Sequence, residues 1–233
     1  MTDQRLDRRQ ILKGAGVLGA VGALAALHNP TVARADEPHE GGLSAGDVQG
    51  IVARAVAAAK GTASVVRSNT DPAVGPIVKR PTKEVIAVVA RSGKLLALHA
   101  MPDAFVGSQD LAIGKARTAA LFSSNESALT SRILGQLSQA HQPNGTGGAG
   151  PVWGVWASNQ VGITGGPQFR NGLVTFPGGV PLYKDGRLVG GIGASGDGVD
   201  QDEVIAFAGA VGFAPGPSVV KAGFTVPKVP PFP

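Results

Sequence analysis

Between Leu43 and Lys60 the apolar residues Val48, Ile51, Val52, Ala55, Val56 and Ala59 recur at helical spacing. Ser44 and Asp47 ahead of them form a capping-box-like pair, so the pattern predicts a helix over 43–60. The rhythm is lost from Gly61 to Lys83. Asp71-Pro72, Gly75-Pro76 and Arg80-Pro81 push that stretch toward extended or turn conformations, with room for an edge strand near Ser64–Arg67. Glu84 to Ala90 (EVIAVVA) is rich in β-branched residues and continuous enough to be a central strand. Arg91 to Lys94 turns the chain, and Leu95 to Met101 returns antiparallel. On that returning strand Leu96, Leu98 and Ala100 share one side, and Leu95, Ala97, His99 and Met101 the other.

A second helix is predicted over Ser108–Phe122, capped by Ser108 and with Asp110 in its first turn. Leu129, Ile133, Leu137 and Ala140 give a third over Glu126–Ala140. Residues 142–177 form a long loop holding Trp153, Trp156, Phe169 and Phe176; a loop of that length is either functional or poorly ordered, and its two tryptophans favour an ordered loop lying on an apolar surface. Val180–Tyr183 and Leu188–Ala194 then read as a hairpin around Lys184-Asp185-Gly186. Gly190, Gly191 and Gly193 in its second strand imply a close backbone approach. Ser195 to Gly198 breaks the strand. Asp200, with Glu203 three residues on, is expected to cap a last helix whose apolar face is Val204, Ile205, Phe207 and Ala208. Residues 213–233 contain six prolines and read as an extended tail over the domain or a neighbouring subunit. The order helix, two strands, two helices, two strands, helix fits an α+β domain with an antiparallel sheet.

The first 35 residues stand apart. Asp7-Arg8-Arg9-Gln10-Ile11-Leu12-Lys13 nearly matches the twin-arginine export pattern, an apolar run follows from Gly14 to Leu27, and Ala33-Arg34-Ala35 is a small-x-small cleavage signal. That run falls short of the roughly 20 residues that span a bilayer, so a cleaved signal is expected and no membrane anchor afterwards. The formal charge of +5 shrinks when the signal leaves. It takes five basic and two acidic residues with it, and 16 basic against 14 acidic remain. That is too small a basic footprint for nucleic acid. The absence of cysteine excludes disulfides, thiolate metal sites and a thiol nucleophile. The domain plan is a twin-arginine-type signal at 1–35, a domain at 36–213 with insertions near 61–83 and 141–175, and a proline-rich tail at 214–233.

Several blocks carry a more specific signal. They are Gly107-Ser108 with Ala112, the run Lys115-Ala116-Arg117-Thr118-Ala119, Pro177-Gly178-Gly179-Val180-Pro181, Val189-Gly190 with Gly193, Ser195-Gly196, and Gln201-Asp202-Glu203. In this order, across about residues 43–213, they resemble the GlcG/HbpS-type haem-binding family. The resemblance implies a profilin-like antiparallel sheet of about five strands flanked by helices, a homo-oligomer, and haem or another small ligand as partner. The insertions and the proline tail depart from the family.

Haem iron needs an axial donor inside an apolar slot. His28 leaves with the signal and His39 lies at the start of what remains, which leaves His99 and His141, with Met101 and Tyr183 as weaker donors. His99 is the preferred ligand and metal residue; the other reading is a histidine satisfied by a neighbour or by water. Lys115 and Arg117 sit two positions apart, on different faces of their helix. One is expected to be solvated and the other, by preference Lys115, to pair with haem propionates or a substrate carboxylate; the alternative is an ion pair with Asp110 or an acid of a neighbouring subunit. The expected cleft lies beside the 108–122 helix.

Other motifs carry less. Gly191-Ile192-Gly193-Ala194-Ser195-Gly196 spells a dinucleotide fingerprint, but too little chain follows for a parallel β-α-β unit. Ser195 lacks a nucleophile elbow. Asp197, Asp200, Asp202 and Glu203 lack calcium-loop spacing. The expected function is an exported haem-binding protein, with haem or iron handling as its role. The alternative is an exported accessory enzyme or small-carboxylate binder of a catabolic pathway; whether the chain is an enzyme stays open.

Overall fold

A computed structural model describes residues 42–137, 173–222 and 224–232. Helix α1 spans Ala45–Lys60 and starts with a full capping box. Ser44 Oγ accepts from the Asp47 amide at 3.1 Å, and the Asp47 carboxylate accepts from the Ser44 amide at 2.8 Å. Strands β1 (Val85–Ala90) and β2 (Leu95–Ala100) pair antiparallel as expected. Helix α2 covers Ser108–Phe122. Short strand β3 (Ser127–Leu129) and helix α3 (Ser131–Leu137) follow, then β4 (Gly179–Lys184), β5 (Arg187–Ser195), helix α4 (Val199–Gly209) and β6 (Val220–Ala222).

The main sheet has four antiparallel strands in the order β2-β1-β5-β4, one fewer than expected. The β4–β5 turn is the expected one: Asp185 and Gly186 both take positive φ, 51° and 74°. Every residue of β1 is buried, because helices cover both faces. Ile86 and Val88 face α1 and α4, packing with Val48, Ile51, Ala55, Ile205 and Ala206. Val85, Ala87 and Val89 face α2, packing with Ala112, Ile113, Ala116 and Ala120. Helix α2 is built almost wholly of small residues on that side and seats directly on strand backbone. A Cβ on Gly193 would lie 2.0 Å from the Ala112 carbonyl oxygen, and one on Gly191 2.4 Å from that of Ala116. The glycines of the fingerprint-like run thus serve helix packing.

Three expectations change. The start of the helix expected over Glu126–Ala140 is instead β3, with α3 beginning at Ser131; residues 138–140 lie outside the described residues. Ser124 Oγ accepts from the amides of Glu126 and Ser127, and Ser123 Oγ from that of Leu129, which holds the start of the stretch out of a helix. Strand β6 then pairs with β3 in parallel, Ser127 standing opposite Val220, a distant partner that local periodicity does not register. Ser108 and Asp200 are not caps: Gly107 and Gly198 stand at those positions, without side-chain hydrogen bonds. The stretch around Ser64–Arg67 forms no strand and makes only isolated bridges nearby, Ala63 with Pro81 and Asn69 with Val78.

The tail folds back over its own domain. Phe224 meets Phe207 of α4 edge-to-face at 5.3 Å, the Ala63 amide donates to the Pro230 carbonyl, and the Phe232 amide donates to that of Gly61. Most of the 142–177 loop, with both tryptophans and Phe169, lies outside the described residues, as does His141. No described helix is long and apolar enough to cross a membrane.

Candidate functional site: an apolar groove with one histidine

Helix α1 carries a stripe wider than the sheet beneath it can cover. Ile51 and Ala55 are fully buried against the sheet and α4, whereas Val52 and Val56 are only partly buried. They reach past β1 toward β2, the sheet's edge strand, most of whose residues are themselves half-buried. The space between is a groove of about 440 Å³ lined by Val48, Val52, Val56, Ala97, His99 and Lys60 among others. Its wall is overwhelmingly apolar, and its size falls within the ordinary range of small-ligand pockets, roughly 300–1,000 Å³.

His99 enters the groove because it stands opposite Ile86 in the β1–β2 register, on the face that α1 covers. Its pKa lies below the ordinary histidine value, chiefly because burial disfavours the charged ring and secondly because the Lys60 ammonium repels it. The ring is therefore neutral at pH 7, with a nitrogen lone pair to offer. Lys60, in the last turn of α1, supplies a cation at the groove's end.

The other expected site residues lie elsewhere. Met101 is in the core, and its sulfur accepts from the Glu84 amide at 3.5 Å. The Tyr183 hydroxyl donates to the Ser124 carbonyl at 2.7 Å, and burial raises its pKa. Neither Lys115 nor Arg117 is solvated. Arg117 Nε donates to the Gly93 carbonyl at 3.0 Å, and burial lowers its pKa. Lys115 Nζ is 2% exposed and donates to the Ala194 carbonyl at 3.0 Å and to Asp202 Oδ2 at 2.6 Å. Of the five expected residues, His99 is the one that lines the groove. The groove itself is on the face of the sheet opposite α2, because α2 lies too close to β5 to leave a cleft.

The acidic run after β5 is spread among separate partners. Asp197 receives hydrogen bonds from Ser64 Oγ, the Val65 amide and Arg67, so it anchors the start of the 61–83 stretch. Asp200 and Glu203 both pair with Arg132 of α3, so their spacing serves an inter-helix clamp. Asp202 accepts from Lys115 and from the amides of Gly196 and Asp197. Beside it lies Glu84, which is fully buried and has no hydrogen-bond partner meeting ordinary geometry for either carboxyl oxygen. Burial, then the Asp202 charge, pushes the Glu84 pKa up to about 9, so this carboxyl is neutral at pH 7.

Sequence reasoning missed Lys60, Glu84 and Arg132. The breadth of the α1 stripe was the available signal for the groove. A glutamate leading directly into an unbroken apolar strand was the signal for Glu84.

The family model described as "Haem degrading protein HbpS-like" matches residues 62–211, and the model of the twin-arginine translocation pathway signal sequence matches residues 5–25. An uncharacterized 15.0 kDa protein in the dhaT-dhaS intergenic region of Citrobacter freundii is 30% identical over 122 residues, 52% of this chain and 70% of that protein. The corrinoid adenosyltransferase PduO of the same organism is 33% identical over 122 residues, and the match covers only 30% of its length. Among solved structures, a PduOC:haem complex is 27% identical, covering 75% of this chain and 96% of that one, with a TM-score of 0.49.

Proposed function

The chain belongs to the family of HbpS-like haem-degrading proteins, and on that premise we propose that it is an exported haem-binding protein whose ligand sits in the groove between α1 and β2. The observation that carries this reading is the placement of His99, a neutral imidazole on a largely apolar wall with a lysine at its end. That combination suits haem: an axial donor for the iron, an apolar surface for the macrocycle, and a cation able to pair with a propionate. Val48, Val52, Val56 and Ala97 would exclude water from the ring, His99 would hold the iron, and Lys60 would meet a carboxylate. The groove is open along one side, which suits a ligand that is taken up and released. Bound haem supplies a redox-active iron; the residues here bind and orient it.

Twin-arginine export delivers folded proteins, so the groove would already be formed on arrival. Several copies assembling is part of this reading, checked by light scattering of residues 36–233 with and without haem.

Haemin titrated into residues 36–233 is expected to give a saturable Soret shift. His99→Ala is expected to weaken binding at least tenfold and to change the band position. An unchanged spectrum in the parent protein removes the haem reading. An unchanged response in His99→Ala removes the groove as its site.

A further inference from the structure

At the end of the sheet near the start of α1, the β1–β2 and β4–β5 turns enclose a second depression of about 340 Å³, with a lining that differs in every residue from that of the groove. Arg91 comes from the first turn, and Lys184, Asp185 and Arg187 from the second. Asn125 completes the polar wall. We infer that this depression is a binding site for a small oxyanion, one bearing a phosphate or carboxylate group.

The charges in it are unequally committed. Lys184 Nζ lies 2.7 Å from Asp47 Oδ2, and Asp185 adds a second negative charge beside it, so this cation is compensated. Arg91 and Arg187 have no ion-pair partner among the described residues, and both are exposed at the rim. Three cations thus meet two carboxylates, and the two guanidiniums carry the surplus. A guanidinium presents a planar fork of donors that matches the two oxygens of a carboxylate or phosphate, which a lysine does not.

The orientation of Asn125 adds a neutral donor. Its Oδ1 accepts from the Leu188 amide at 2.9 Å, which occupies the amide's acceptor and leaves the Nδ2 donor on a residue that lines the depression. Two forks and an amide N–H around one concavity offer donors and no uncommitted acceptor other than Asp185. That donor excess selects an anion.

The test is an NMR titration of residues 36–233 with inorganic phosphate and, separately, with succinate, at constant ionic strength. Saturable amide shifts at residues 91, 125 and 184–189 are expected. Saturation by one ligand alone supports the site and fixes which group it takes. The double variant Arg91→Gln/Arg187→Gln is expected to bind at least tenfold more weakly. Asn125→Asp keeps the acceptor for Leu188 while replacing the Nδ2 donor with a carboxylate oxygen, and is expected to lose binding with the fold intact. Saturation by neither ligand, or an equal response in the double variant, overturns the proposal. Haemin titration of the double variant is expected to match the parent, which keeps this result separate from the groove's.

Discussion

Lys115 Nζ lies 2.6 Å from Asp202 Oδ2, with both side chains almost wholly buried, and this pair ties the helix on one face of the sheet to the helix on the other. Burying two charges is costly, and their attraction roughly offsets that cost only while both are present. Lys115→Met would leave the Asp202 carboxylate with two backbone amides and no countercharge. We expect a loss of about 3–5 kcal/mol in urea unfolding. Haem binding by the folded fraction is expected to persist, since Lys115 does not line the groove.

Glu84 sets a pH dependence. Its folded pKa is about 9 against an ordinary value of 4.5, so the folded state holds a proton that the unfolded chain releases. A group raised in this way contributes most below its unfolded pKa, and the contribution is lost as pH rises through the folded value. Stability should therefore fall between about pH 4.5 and 9 on this account. Glu84→Gln, which keeps the shape and offers Asp202 an amide donor, is expected to flatten that slope. Thermal midpoints of both proteins measured at intervals from pH 5 to 9 would decide it; parallel curves would show that Glu84 is not the group responsible.

The seat of α2 on β5 leaves no room for a methyl group. In Gly193→Ala the new carbon would stand 2.0 Å from the Ala112 carbonyl oxygen, with the Ala116 amide nitrogen 2.7 Å away. Both are helix backbone, which cannot yield without moving α2. Overpacking ordinarily costs about 1–3 kcal/mol, and a backbone obstacle places this site at or above the top of that range. Gly186→Ala, at a turn position of positive φ but open space, should cost less.

These outcomes separate what was legible in the sequence from what was not. Helix α1 and the β4–β5 hairpin could be read because capping and turn chemistry act within a few residues: Ser44 needs only Asp47, and the turn only Asp185-Gly186. The glycines of β5 announced a close approach without naming α2 as the partner. Strand β3 was hidden because its partner, β6, lies far along the chain and supplies the hydrogen bonds that override a helical rhythm. The charge clusters were hidden for the same reason, with Lys115 and Asp202 separated by 87 positions and Arg132 and Glu203 by 71. The groove is a property of neither α1 nor β2 alone. It arises where a broad apolar helix overhangs an edge strand, and it placed His99 in a pocket while Met101, two residues on, went into the core.

His99 and Lys60, the two titratable residues lining the groove, act on each other as well as on a ligand. A protonated imidazole cannot ligate iron, so haem affinity should hold while His99 is neutral and fall as it takes up a proton. Burial is the larger cause holding its pKa below the ordinary value, and the Lys60 ammonium the smaller. Affinity followed by the Soret band should therefore hold at pH 8 and decline on acidification, with its midpoint below the ordinary histidine value. Lys60→Ala removes the repulsion and leaves the desolvation, so the decline should move to higher pH. The same substitution removes the cation available to a propionate and should lower affinity several-fold at pH 8. Both effects in one variant would tie Lys60 to the ring and to the ligand together. A decline that stays in place while affinity drops would assign Lys60 to the propionate alone, and a variant unchanged in both respects would put the ligand outside this groove.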